Sequence, residues 1–275
     1  MESIAQRLAQ ELSQPVGYVE NVISLIDEGN TIPFIARYRK ELHGSMDDTT
    51  LRTLEDRLQY LRNLQKRRDE VKTAIANQGK LTEELSAAID AAATLAEVED
   101  LYLPYKQKRR TRATMAREKG LEPLADLLFA KGPGMDPLKA AEPFVDPEKG
   151  VEDVAAALQG ASDIIAERIA DDAAVRKSLR NLFLRQGVLV SRAADKEPED
   201  SVLAINRGER EDILKVEVEL DGEAARIALR RAVVPGCAAM EIVRSAADDA
   251  WERLLRPSLE REIRNALTDE ASEGA

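Results

Sequence analysis

The sequence reads as a mainly α protein, a multi-helix bundle with one small β-hairpin near 202–220, and three observations lead there. Ala, Leu, Glu and Arg, all good helix formers, dominate the 275 residues, while aromatics make up only 4%. Apolar residues recur at three- and four-residue steps through most of the chain, the period of a half-buried helix. The period drops clearly to two in one place, where Leu214, Val216, Val218 and Leu220 alternate with Lys215, Glu217 and Glu219. A lone hairpin is marginal in water, so this one is expected to pack on helices. With 44% hydrophobic residues, the chain can bury a core in one or two domains.

Ile4, Leu8 and Leu12 mark a first helix that Pro15 closes. Val19, Val22, Ile23 and Ile26 mark a second, ending at Gly29 and Asn30, which accept left-handed backbone angles. Both are short and need tertiary burial to persist. Pro33 suits the first turn of a third segment, in which Phe34 and Ile35 pack while Arg37, Arg39 and Lys40 project polar ends; Gly44 breaks it. Asp47 or Asp48 then offers a side-chain oxygen to the free N–H groups of a long helix. Leu51, Leu54, Leu58, Leu61, Leu64, Val71 and Ile75 stripe one face of that helix as far as Gly79. Its other face carries Arg52, Arg57, Arg62, Lys66, Arg67 and Arg68 with acids between them. We read that face as solvated and locally paired, for example Arg52 with Glu55, rather than as a nucleic-acid surface.

A short helix follows Leu81 and Thr82. Thr94 and Glu97 have the spacing of a capping box ahead of Val98 and Leu101, and Pro104 stops that helix. From about 113 to 190 the chain reads as a compact helical block. Leu124, Leu127, Leu128 and Phe129 lie on one helix; residues 132–137 and 146–150 are loops by composition. Val151, Val154, Leu158, Ile164, Ile165 and Ile169 trace one or two more helices, and Asp171 or Asp172 caps another that buries Val175, Leu179, Leu182 and Phe183. Residues 193–201 are polar, charged and contain Pro198, hence a linker. Val202 to Asn206 is expected to be the first strand of the hairpin, with 207–212 as its loop. Asp221 and Gly222 return the chain to helix and Pro235 with Gly236 breaks it. Met240, Val243, Ala247, Trp251, Leu254 and Leu255 mark a last long helix, interrupted at Arg256, Pro257 and Ser258 and resumed by Leu259, Ile263 and Leu267. The tail from Asp269 has no core to join.

Charge singles out one stretch. Forty Lys and Arg against 51 Asp and Glu leave a net charge of −11. Yet Lys106, Lys108, Arg109, Arg110 and Arg112 crowd together just after Tyr102 and Tyr105. A basic turn beside aromatics suits phosphates and stacked bases. The same cations also suit pairing with acidic helices of this molecule, the commoner use of a charge run, and Glu97, Glu99 and Asp100 are close in sequence. The acidic balance excludes a general nucleic-acid coat and leaves a local patch as the only such surface.

Other chemistry is sparse. His43 is the only histidine and falls in an expected loop, so no paired-His metal site and no Ser–His or Cys–His apparatus is built around it. Cys237 is the only cysteine and allows neither an internal disulfide nor a Cys-based zinc site; it reads as a small packing residue. Neither a Walker phosphate loop nor a G-x-G-x-x-G turn occurs. The acidic pairs at 47–48, 171–172 and 248–249 are read as caps or solvated charges, not as metal ligands. No cofactor is expected. The first residues lack the apolar core of a signal peptide and no run is long enough to cross a bilayer, so no membrane role and a cytoplasmic location are expected.

Several long stretches, in this order along the chain, resemble the Tex family of bacterial transcription accessory proteins, which is related to a eukaryotic elongation factor. They are DEGNTIPFIARYRKE at 27–41, Asp47 with Asp48, QGKLT at 78–82, EDLYLPYKQKRRT at 99–111, LAINRGE at 203–209 and RLLRPSLEREIR at 253–264. The resemblance implies the family's N-terminal helical region, with helix-turn-helix-like parts. In the family a ribonuclease-H-like domain, helix-hairpin-helix motifs and an S1 RNA-binding domain follow it. It also implies that residues 1–110 and 195–275 form one discontinuous domain around an inserted subdomain, 113–190. The segment before Val202 is shorter and more acidic here than the family's usual one.

The expected function is a non-enzymatic scaffold module of a transcription accessory protein that contacts RNA or DNA, the transcription machinery, or both. The alternative is a protein-interaction module with no nucleic-acid affinity of its own. The candidate contact residues are Tyr102, Tyr105, Lys106, Lys108, Arg109, Arg110 and Arg112, with Arg37, Arg39 and Lys40 as a second set.

Overall fold

A computed structural model describes residues 3–44, 46–193, 202–211 and 214–273, which are mainly helical. Packing divides the chain into two compact units, Met1–Tyr102 and Leu103–Ala275.

In the first unit, α1 (Ile4–Glu11), α2 (Val16–Asp27), α3 (Ile32–Tyr38) and α4 (Lys40–His43) precede the 29-residue α5 (Asp48–Ala76); α6 (Glu83–Ala91) and α7 (Leu95–Tyr102) complete it. Side chains set the starts. Ser3 Oγ accepts from the Gln6 N–H at 3.1 Å while Gln6 Oε1 accepts from the Ser3 N–H at 2.8 Å, a capping box. Asp47 accepts from the Thr50 N–H at 2.7 Å and Thr82 from the Leu85 N–H at 3.1 Å. α5 is the spine, roughly 44 Å long at about 1.5 Å per residue. Its leucine stripe, Leu51, Leu54, Leu58, Leu61 and Leu64, is buried, and α1, α2, α3, α6 and α7 all pack on it. Its arginines pair, mostly with neighbouring helices: Arg57 with Glu11 at 2.8 Å, Arg62 with Asp27 at 2.7 Å and Arg67 with Glu99 at 2.6 Å. Arg52 pairs with Asp48 at 2.7 Å, not with Glu55.

Gly44 ends α4 in the left-handed region, φ 60°, with the Tyr18 ring laid against it; a Cβ there would sit 2.4 Å from that ring. His43 therefore lies in α4 rather than in a loop, and its ring is buried, 1% exposed.

In the second unit, α8 (Arg112–Glu118), α9 (Glu122–Phe129) and α10 (Pro137–Ala141) lead to α11 (Val154–Asp171) and α12 (Ala173–Gln186). Asp153 and Asp172 cap the last two, accepting from Ala156 and Val175 N–H at 2.7 and 2.9 Å. α11 is the spine here. Four consecutive buried residues, Ile164, Ile165, Ala166 and Glu167, exceed the single stripe of a surface helix, and α8, α9, α10, α12 and α15 (Met240–Asp249) pack around it. β1 (Val188–Ala193), α13 (Val202–Arg210), β2 (Leu214–Glu219), α14 (Gly222–Val233), α15 and α16 (Arg256–Glu273) complete the unit.

One apolar core joins Ala113, Leu124, Ile164 and Phe183 to Val218, Leu229, Trp251 and Ile263. Residues on both sides of position 195 contribute to it. The expected grouping of 1–110 with 195–275 around an inserted 113–190 draws its boundaries elsewhere. Backbone pairing ties the same two halves: the Ala238 N–H donates to Ala130 O at 2.8 Å and the Gly132 N–H to Gly236 O at 2.9 Å. Lys131 Nζ caps the end of α14, donating to Val233 O at 3.0 Å and Pro235 O at 2.8 Å.

The hairpin requires a correction. β2 is as expected, with Val216 and Val218 buried, but its antiparallel partner is β1, in register from Val188 opposite Glu219 to Ala193 opposite Leu214. The expected strand at 202–206 is the start of helix α13. A short apolar run does not by itself distinguish strand from helix. The decision comes from α16: Asn206 Nδ2 donates to Thr268 Oγ1 at 2.7 Å, and one Arg264 nitrogen donates to Asn206 Oδ1 at 2.9 Å and to Glu209 at 2.6 Å. Asn206 and Glu209 reach that one surface only at helical spacing. Of the expected linker, 193–201, Ala193 ends β1 and residues 194–201 lie outside the described residues.

The last helix also differs from expectation. It is not interrupted at Pro257 but widens into a π-helical stretch, Ala250–Leu255, and continues as α16. Pro257 has no N–H to give back to the preceding turn, and widening absorbs that loss. The stretch seats Trp251 in the core, fully buried, its ring 6.0 Å from that of Phe183.

Candidate nucleic-acid interface

In the second unit, a 3₁₀ turn, Leu103–Tyr105, opens the basic segment, and Thr111 closes it by accepting the Thr114 N–H at 3.0 Å to cap α8. The segment is anchored to α11 from between these points. Lys108 Nζ makes a very short ion pair with Asp171 and lies 3.7 Å from Glu167. Glu167 also accepts from Thr111 Oγ1 at 3.0 Å and from Arg117 at 2.8 Å. Burial is the largest influence on the Glu167 carboxyl and pushes it up, but Arg117, Lys108 and Thr111 together hold it below the usual carboxylate range. Burial wins at Asp171, whose carboxyl is raised despite the Lys108 ammonium.

The expected cations therefore divide. Lys108 is an anchor. Arg110 pairs with Glu118 at 3.0 Å but stays largely exposed. Arg109 and Arg112 are exposed and form no ion pair among the described residues. Lys106 and Tyr105 are half-buried and engaged by neighbours. Asp171 was expected only as a helix cap; Asp172 takes that role, freeing Asp171 for Lys108. The two α11 carboxylates were not foreseen as partners, because Lys108 and Asp171 stand 63 residues apart.

In the first unit, Tyr102 ends α7, half-buried, with the Arg67 guanidinium 5.6 Å from its ring centroid. Arg37 and Lys40 are exposed and form no ion pair among the described residues; Arg39 lies 5.5 Å over the ring of Phe34. Phe34 and Tyr38, four apart on α3, touch with ring centroids at 5.2 Å. Neither ring was among the expected contact residues, although an aromatic at i and i+4 beside three cations is a readable signal.

The remaining chemical candidates have structural partners or are buried. Asp47 caps α5, Asp248 pairs with Arg230 at 2.7 Å and Asp249 with Arg253 at 2.6 Å. Cys237 is buried, and its thiol lies 3.2 Å from Val233 O. Among the described residues, no helix is long and apolar enough to cross a membrane.

Residues 2–76 match the family model described as the Tex-like protein N-terminal domain, and residues 132–201 the one described as Tex central region-like. The chain is 40% identical to the protein YdcI of Bacillus subtilis (strain 168) over 99% of its own length and 41% of that protein's. It is 53% identical to the transcriptional accessory protein Tex of Neisseria gonorrhoeae over 48% of its length and 17% of the relative's. The S1 RNA-binding domain-containing protein 1 of Pongo abelii is 31% identical over 98% of this chain and 30% of its own. The chain thus spans less than half the length of each of these relatives.

Proposed function

Because the chain belongs to the Tex-like family of transcription accessory proteins, we propose that it is a non-enzymatic scaffold module, working in the cytoplasm, that holds single-stranded nucleic acid near the transcription machinery. Its helix-turn-helix-like parts serve that positioning. The observation that carries the reading is the basic turn: in a chain of net charge −11, Lys108 is clamped to α11 while Arg109 and Arg112 remain exposed. Clamping one cation fixes the turn and presents its neighbours as phosphate ligands without ordering them anew at binding.

The test is a titration with single-stranded RNA across salt concentrations. Arg109→Ala with Arg112→Ala is expected to weaken binding and to flatten the log–log salt slope by about 0.7 per lost phosphate contact. A slope unchanged by the double substitution would remove the turn from the interface.

The pairing of Lys108 and Arg110 with this molecule's own carboxylates favours a second reading, a protein-interaction module without nucleic-acid affinity. Purified RNA polymerase retained by the chain, with no RNA shift at low salt, would select it.

A further inference from the structure

We propose that the α3–α4 surface of the first unit is a stacking site for single-stranded nucleic acid, separate from the basic turn; the proposal rests on the nucleic-acid reading above and adds a second contact to it. Tyr38 is 57% exposed, the largest aromatic exposure among the described residues, and Phe34 beside it is exposed as well, so the two rings make one open aromatic surface. Its ring has one aromatic neighbour. Phe34, one turn earlier, supports it at 5.2 Å and 46°, and the Arg39 guanidinium lies over Phe34 at 5.5 Å. A base stacking on Tyr38 would meet a ring already in contact with Phe34, which lowers the cost of fixing it.

Charge decides the occupant. From Ile32 to Gly44 the chain has Arg37, Arg39 and Lys40 against Glu41 alone, a net charge of +2 in a molecule of −11. Arg37 and Lys40 are exposed and without an ion pair among the described residues, whereas the arginines of α5 that face the same unit are mostly paired with carboxylates. Exposed cations within two residues of an open aromatic pair fit a chain that offers alternating phosphates and π-faces. An apolar peptide would gain nothing from them. The backbone supports the arrangement: Gly44 lets the Tyr18 ring close over the end of α4, which fixes the helix carrying Lys40.

The experiment uses the whole chain and a fluorescein-labelled single-stranded oligonucleotide of about 15 nucleotides, in RNA and DNA forms, with a duplex of the same sequence as control. Tyr38→Ala is expected to weaken single-strand binding about 5- to 100-fold, Tyr38→Phe to keep it, and Lys40→Ala to lower the salt slope by about 0.7. Photo-crosslinking with a thiouridine-substituted strand is expected to mark Tyr38 or Phe34. Circular dichroism melting identical to the parent chain guards against misfolding, since the side chain is exposed. If Tyr38→Ala binds like the parent while Arg109→Ala with Arg112→Ala weakens binding, the platform is overturned and the turn stands. If the parent chain binds no single strand at low salt, both fall. Duplex binding as tight as single-strand binding, with no crosslink on α3, also overturns the stacking site.

Discussion

At the residue scale, the decisive contacts link positions far apart in sequence. The cluster of cations at 106–112 is plain in the sequence, but which of them are spoken for depends on Glu167 and Asp171, set beside them by the packing of α8 on α11. Glu167 gives a prediction with a definite sign. Its carboxyl is held below its ordinary value in the folded protein, so it adds stability above about pH 4.3, its unfolded value, and that contribution fades as pH falls through the folded value. Asp171 works the other way: its raised carboxyl opposes folding at neutral pH and stops doing so once protonated. Glu167→Gln is therefore expected to cost about 1–2 kcal/mol at pH 7, roughly 2–8 °C in melting temperature, with the gap to the parent closing as the pH falls below about 4.3 and through the folded value. A gap that stayed constant as the carboxyl became protonated would mean the carboxylate charge has no part in anchoring the turn.

At the scale of elements, periodicity and caps were legible and pairing was not. The seven apolar positions of α5 are read from Leu51 to Ile75 without a structure, and all seven are buried. Leu54→Ala, at a fully buried position, is expected to lower unfolding free energy by about 2–5 kcal/mol in urea titrations followed by far-UV circular dichroism. Gly44 was legible as a break, but not as the seat of the Tyr18 ring. Gly44→Ala combines left-handed strain with a ring 2.4 Å away and is expected to cost about 1–3 kcal/mol by the same measurement; a neutral outcome would show that the ring moves aside freely. The partner of β2 was missed because Val188–Ala193 lacks the alternation that marks β2, and α13 was misread because Leu203 to Ile205 is too short a run to carry a period.

At the scale of the whole molecule, the family and the helical class could be read from the residues, whereas which helices share a core depends on their packing. The core of the second unit draws on Ala113 at one end and Ile263 at the other, all within 103–275. That fragment alone is expected to unfold in one cooperative transition, and Trp251, the only tryptophan, reports it by fluorescence. A broad, non-cooperative melt of the fragment would place part of its stability outside it. The bond from Lys131 to Val233 has a consequence for birth of the chain on the ribosome. It joins positions 102 apart, and the helix carrying Trp251 emerges later still. At about 5–20 residues per second, the first unit is complete roughly ten to thirty seconds before the second has everything it needs to close, so nascent helices α8 to α12 wait in that interval with their apolar faces uncovered, clients for a chaperone.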